Sequence, residues 1–361
     1  MRIRTVTALL GTCLVMLVAA VSAGPAAALV STGDGTWFWR TPQPAGNFLS
    51  GVSSVGFELW TVGDGGAILH SVDDGATWQP QLSGTTQSLN DVTFLDALQG
   101  WAVGGNDSSG LGEIPRSHVI LHTADGGLTW QSQHAPGTSD LKAVAFVDAL
   151  NGWAAGDNGL VVRTRDGGAT WQAVSTGSRD WFTCLRFTDA EHGWVGGSEG
   201  AVLRTSDGGQ HWQRLPLGRW AGRRVVVKPT FADAARGWAI LQRPDGYSGS
   251  GSGPALAATS DGGSHWRSLA TPKGLEFSAL VVDGQGTLWA AALEDATSQT
   301  IFLRSSDAGA HWSREYADVA TPQAITRDAG GLCAVGYGLL TRADGGASLP
   351  RSSGEIGRAH V

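Results

Sequence analysis

One eight-residue pattern returns along the chain and constrains its fold more than any other feature: Ser/Thr-x-Asp-Gly-Gly-x-Thr/His-Trp. It reads Ser71-Val72-Asp73-Asp74-Gly75-Ala76-Thr77-Trp78 in its first copy. It returns with Asp125 and Trp130, Asp166 and Trp171, Asp207 and Trp212, Asp261 and Trp266, and Asp307 and Trp312. A worn seventh copy has Asp344-Gly345-Gly346, with Arg342 in the Ser/Thr place and Leu349 in the Trp place. The Asp-to-Asp steps are 52, 41, 41, 54, 46 and 37 residues. A fixed period of this size is the mark of a repeat architecture, in which one unit cannot bury its own faces.

A second motif precedes each box. It reads Phe94-x-Asp96-x-x-x-Gly100-Trp101, with copies from Phe146 (Trp153), Phe187 (Trp194) and Phe231 (Trp238) and weaker forms around Trp60, Trp289 and Cys333. Between the two motifs lie short β-branched runs such as Leu160-Val161-Val162-Arg163-Thr164. Each unit therefore reads strand, turn, strand, turn, strand, Asp turn, strand. Four short strands per period predict an all-β, seven-bladed propeller of four-stranded blades. Thr36-Trp37 mimics the end of a box, so residues 36–42 are expected to lend an outer strand to the last blade.

The Asp turn has a physical reading. Asp accepts hydrogen bonds from the backbone of its own turn, and the glycines supply positive φ. The Trp is expected to close the hairpin by packing on its blade. Asp73, Asp125, Asp166, Asp207, Asp261, Asp307 and Asp344, with Trp78, Trp130, Trp171, Trp212, Trp266 and Trp312, are thus read as structural, because a catalytic group is needed once and these recur per unit. His211, His265 and His311 take the Thr place and read as turn residues rather than metal ligands. No cofactor, metal site or catalytic set is expected.

The ends carry different signals. Met1-Arg2-Ile3-Arg4, an apolar run from Val6 to Val21 and small residues to Ala28 read as a signal peptide over 1–28. The protein is then exported: periplasmic, cell-surface or extracellular, or in a thylakoid lumen if the source is photosynthetic. No later stretch is long and apolar enough for a membrane span. Residues 29–353 read as one propeller domain, expected to be monomeric. Residues 354–361 read as a non-native tail, because Glu355-Ile356-Gly357-Arg358-Ala359-His360-Val361 resembles translated sequencing-adapter read-through. Cys184 and Cys333 lie in different repeats and are expected to be separate buried thiols.

The Asp-Gly-Gly-x-Thr-Trp turns resemble the Asp-box, or BNR, repeats of bacterial neuraminidases, sortilin-type receptors and some glucanases. Joined to Gly-Trp-x-x-Gly in seven units, over about residues 36–349, they resemble more specifically the photosystem II stability and assembly factors of the Ycf48/Hcf136 type. That resemblance implies a lumenal or periplasmic propeller that binds a new membrane-protein segment, such as a photosystem subunit, and does no chemistry.

Charge sharpens the expectation. The chain carries a net charge of −7, so a nucleic-acid partner is not expected. Residues 163–243 nevertheless hold 12 of its 25 basic side chains. Arginine forks suit carboxylates and phosphates, and Arg and Trp are enriched at binding hot spots. Arg219, Trp220, Arg223, Arg224, Arg179 and Trp181 are therefore the candidate partner-binding residues, and the resembled family carries an Arg-rich patch used in partner binding. Two insertions, Asn106 to Ser117 and Pro244 to Pro254, are further candidate loops.

Two other readings stand beside the scaffold. One is a glycoside hydrolase. Trp39-Arg40-Thr41-Pro42 faintly echoes a sialidase Arg-x-Pro motif, Arg314-Glu315-Tyr316 offers a Tyr and a Glu, and Asp180, Glu199, Glu113 or Asp157 could supply paired carboxylates. The other is a sortilin-like or adhesion propeller that binds peptide or carbohydrate without cleaving it.

Overall fold

The structure is a computed structural model. It describes residues 29–31, 37–40, 48–75, 77–106, 117–218, 225–242, 256–283, 285–294, 297, 299–318, 322–327, 332–336 and 339–342. The expected signal peptide, the 354–361 tail and Asp344 lie outside the described residues, as do most of both insertions.

Among the described residues, twenty-nine strands form an all-β propeller. Six blades are four-stranded antiparallel sheets whose strands run in chain order, inner to outer. Their inner strands are Leu49–Val55, Ser88–Phe94, Leu141–Phe146, Phe182–Phe187, Val225–Phe231 and Leu275–Val282. We number the blades 1 to 6 from these strands. The expectation of seven four-stranded blades is corrected: six have that form. The remaining strands make a five-stranded sheet, in which Pro322–Arg327, Leu332–Gly336 and Leu339–Arg342 continue into Trp37–Arg40 and Leu29–Ser31.

Strand alternation makes two ends of each sheet chemically different. The first-to-second and third-to-fourth strand turns lie at one end, the Asp-turn end. The second-to-third turns and the connections to the next blade lie at the other, the connection end. Each inner strand carries one register shift, as between Leu89 and Asp91. Asp91, Cys184 and Lys228 are the first residues after the shift in blades 2, 4 and 5.

The core lies between blades. Trp60, Trp101, Trp153 and Trp194 are fully buried. Each stacks on the Phe that ends the next blade's inner strand, with ring centroids 3.6–3.7 Å apart, as in Trp101 on Phe146. The other ring face meets a side chain of its own blade's third strand: His70 on Trp60, His122 on Trp101, Arg163 over Trp153 and Arg204 over Trp194. The Gly before Trp101, Trp153 and Trp194 is fixed by this packing. A Cβ on Gly152 would stand 2.3 Å from the Phe146 ring.

Candidate functional site

The Asp turns repeat one hydrogen-bond scheme. Thr123 Oγ1 donates to Asp125 Oδ1 at 2.8 Å, and the Thr129 amide and hydroxyl donate to Oδ1 and Oδ2 at 2.9 and 2.7 Å. The Gly127 amide donates to Thr123 Oγ1 at 2.7 Å. In three turns a His stands in for the Thr. His211, His265 and His311 place Nδ1 2.6–2.7 Å from Asp207, Asp261 and Asp307. The hydroxyl and amide of Thr129 hold the Asp125 carboxyl down at about 2. Among the described residues no cluster of three or more His, Cys, Asp or Glu could hold a metal.

The box Trp does more than pack on its own blade. Trp130 meets Phe94 of its blade edge-on, while its Nε1 donates to Gln81 Oε1 of the preceding blade at 3.2 Å. Gln81 Nε2 in turn donates to the Gly126 carbonyl of the same Asp turn, at 2.9 Å. Gln133 repeats the clamp on Trp171 and Gly167. Sequence reasoning missed these clamps. The signal available was Gln81 and Gln133, each third in its outer strand and each preceding the next box by one blade.

The basic residues of 163–243 do not gather on one surface. Arg163 is buried and stacks on Trp153, and Arg204 stacks on Trp194. Arg165 is exposed in an Asp turn, and Arg236 pairs with Asp233 in a first-to-second strand turn, both at the Asp-turn end. Lys228 and Arg186 stand on inner strands, where burial lowers the pKa of each. The charge of Lys228 is felt there by Asp91 and Cys184. Only Arg179 and Arg214, among the described residues of this set, belong to the connection end.

That end carries the described part of the candidate site. Arg179 is exposed, and Trp181 is 59% exposed, large for an indole in a folded ring. Both lie on the connection between Gln172–Val174 and Phe182–Phe187. Its backbone is pinned. The Asp180 and Trp181 carbonyls accept from Gly159 and Ser198 at 2.8 and 2.9 Å, and the Trp181 amide donates to Ser198 Oγ at 3.0 Å. Arg214 Nη1 pairs with Asp180 Oδ2 at 2.7 Å, and Ser178 donates to the same oxygen. An open groove of about 460 Å³ beside it is lined by Ser139, Asn158, Thr176, Ser178 and Arg179. Arg219, Trp220, Arg223 and Arg224 lie outside the described residues, but they fall within the connection from Gln213–Arg214 to Val225–Phe231, the next one round the ring.

The carboxylates and arginines of the hydrolase reading are dispersed or engaged. Asp180 is held by Arg214, while Asp157 and Glu199 sit in the short second-to-third strand turns Asp157–Gly159 and Ser198–Gly200. Arg314 pairs with Glu294. Glu113 and Arg40-Thr41-Pro42 have no described side chains. Cys184 and Cys333 are both buried; Cys184 donates to the Gly196 carbonyl, and burial pushes its thiol up to about 12. No helix among the described residues is long and apolar enough to cross a membrane.

The chain is therefore a repeat β-propeller whose blades are joined by Trp and Asp turns. Its fold is similar to that of Ycf48-type propellers. The family model described as photosynthesis system II assembly factor YCF48 matches residues 81–179 and 128–227. A solved YCF48 bound to a D1 peptide is similar at 20% identity and a TM-score of 0.63, covering 88% of this chain and 100% of that one. YCF48 from Cyanidioschyzon merolae is similar at 17% identity and a TM-score of 0.64, over 85% and 98% of the two chains. The xyloglucanase of Xanthomonas campestris is similar at 18% identity and a TM-score of 0.63, over 85% of this chain and 54% of that enzyme. No curated protein is significantly similar in sequence.

Proposed function

We propose that this protein is a non-catalytic, exported scaffold that binds a segment of a membrane protein at the connection end of blades 3 to 5. The exposed indole of Trp181 beside Arg179, on a backbone pinned by three hydrogen bonds, is the observation that carries the reading. A rigid aromatic anchor with an adjacent guanidinium is the chemistry of a binding hot spot. Arg219, Trp220, Arg223 and Arg224, on the next connection along the chain, are further candidates of the same chemistry. The resemblance to a YCF48 that holds a D1 peptide supports a protein segment as the ligand class. The leader over 1–28 directs the chain across a membrane, and Trp37–Arg40 supplies an outer strand at the seam of the ring.

A pull-down from solubilised envelope of the source organism tests it. The mature protein is compared with Arg179→Glu/Trp181→Ala, after both show the same thermal unfolding. A membrane protein retained by the first and lost by the second supports the scaffold. Equal retention by both moves the site elsewhere. Release of reducing sugar from xyloglucan by the purified protein, with no protein retained, replaces the scaffold by a hydrolase.

A further inference from the structure

The opposite end of the ring has its own character, unlike that of the connection end. Phe57, Val72, Leu98, Leu128 and Leu150 are between 56% and 84% exposed. All five sit in turns of the Asp-turn end, and all belong to blades 1, 2 and 3. The turns that carry them are joined. The Asp74 amide donates to the Phe57 carbonyl, Gly126 to Leu98, and Gly167 to Leu150, at 2.9–3.0 Å. Adjacent blades are tied at the same places by Trp60 Nε1 to the Gly126 carbonyl and Trp101 Nε1 to that of Gly167. The apolar side chains therefore stand on linked turns of three neighbouring blades, at one end of the ring.

The band stops at blade 4. In blades 4 and 5, Glu191 and Ala235 stand where Leu98 and Leu150 do, and Gln210 and Ser264 stand where Leu128 does. Nothing in turn geometry asks for leucine at these places, since the same turns form without it. Scattered single leucines on a surface need no explanation, but exposed apolar side chains repeated on linked turns of three blades mark a contact surface.

Charge says what chemistry would cover it. At this end of blades 1 to 3 the described turns carry Asp73, Asp74, Asp96, Asp125, Asp148 and Asp166 against one basic side chain, Arg165. Asp73, Asp74, Asp96 and Asp125 flank the band in the turns of blades 1 and 2. Their turns hold the carboxylates in place: the Leu98 and Gln99 amides donate to Asp96, and the Thr129 amide and hydroxyl donate to Asp125. A band of leucines bordered by fixed negative charge complements leucines bordered by positive charge.

We infer that the Asp-turn end of blades 1 to 3 is a second docking surface, and that it takes a cationic amphipathic segment of another protein, with apolar side chains flanked by Lys or Arg. It is independent of the connection end, so the protein can hold two partners, or two parts of one, on opposite ends of the ring.

The test uses the full mature protein and a labelled 20-residue Leu/Lys amphipathic peptide, read by fluorescence anisotropy. The variant is Leu98→Ser/Leu128→Ser/Leu150→Ser, whose exposed sites leave the core intact. The control is Leu82→Ser, on the opposite end and 91% exposed. The expected result is that the protein and the control bind alike, the triple variant binds at least tenfold more weakly, and a Leu/Glu peptide of the same pattern does not bind. Equal binding by the triple variant overturns the inference, since net charge alone would then attract the peptide. So does equal binding of the Leu/Glu peptide, or no binding of the Leu/Lys peptide. Self-association that the triple variant loses, without peptide binding, assigns the band to a second copy and overturns it as well.

Discussion

The indole N–H of Trp153 donates to the carbonyl of Gly208, 2.9 Å away and one blade further round the ring. Trp60, Trp101, Trp194 and Trp238 repeat the bond to Gly126, Gly167, Gly262 and Ala308. The Asp turns of blades 2 to 6 are thus held by their own Asp from within and by the preceding blade's Trp from outside. The acceptor is the backbone of the first Gly of the box, or of the Ala in that place, so the two sequence motifs are halves of one inter-blade contact.

Trp153→Phe keeps most of the packing on Phe187 but removes the donor. The Gly208 carbonyl is then left unpaired in a buried place, which costs about 1–3 kcal/mol. The expected outcome is a lower urea midpoint with an unchanged slope. A midpoint equal to that of the parent protein would show that water replaces the indole without loss.

The clamp by Gln81 and Gln133 is not continued around the ring. Val174, Leu215 and Leu269 hold the corresponding place in blades 3, 4 and 5, and pack with Trp212, Trp266 and Trp312. The Nε1 atoms of these three indoles are buried without a hydrogen-bond partner. Val174→Gln is expected to supply an acceptor to Trp212 and a donor to Gly208, adding about 0.5–1 kcal/mol. Differential scanning calorimetry should show a rise of a few degrees, and a fall would mean that lost apolar packing outweighs the new bonds.

Gly152→Ala tests the Phe-over-Gly contact. The added methyl meets the Phe146 ring at 2.3 Å, and that ring is already pressed between Trp101 and Trp171. The ring cannot move without unstacking Trp101, so a loss of about 1–3 kcal/mol is expected, as for other overpacked cores. Gly51 carries the same exclusion for another reason, since a Cβ there would stand 2.8 Å from the Asp91 Cα. An unfolding midpoint for Gly152→Ala within error of the parent would refute the packing argument.

The strand order within a blade was legible in the sequence because it is written in local chemistry. Gly and Asp mark each turn, and β-branched runs lie between them. The Asp turn was also legible, since its hydrogen bonds close within five residues. The inter-blade bonds were not, because they join residues as far apart as Trp194 and Gly262, and nothing local requires them. Nor does the basic count over residues 163–243 describe a single surface. Arg163 and Arg204 lie on third strands, where alternation turns them onto buried Trp rings rather than toward a partner. The last unit was expected as a four-stranded blade completed by residues 36–42, whereas the sheet that holds Pro322–Arg327 has five strands.

The Asp turns predict loss of stability in acid. Backbone and side-chain donation by His265 holds the Asp261 carboxyl at about 2, and His311 does the same for Asp307. An Asp with a depressed folded pKa contributes stability above its unfolded pKa of about 3.9, and loses it as the pH falls through the folded value. The thermal midpoint should therefore fall steeply from pH 4 to pH 2. Asp261→Asn should lower the midpoint at pH 6 and flatten this acid slope, and an unchanged slope would remove the turn from the cause.

Asp91 predicts the opposite sign. It is pushed up to about 6 by burial, against the amides of Val144 and Val92 and the charge of Lys228, which pull it down. A carboxyl with a raised folded pKa favours folding while it is protonated. That contribution is complete below about pH 4 and is lost as the pH rises through about 6. Asp91→Asn stays neutral and can still accept from one of the two amides. Urea unfolding at pH 4.5 and pH 7.5 should show stability falling between the two for the parent relative to the variant, with the variant the more tolerant at pH 7.5. The same pH difference in both proteins would mean that Asp91 is charged throughout, held so by Lys228 across the inner strands.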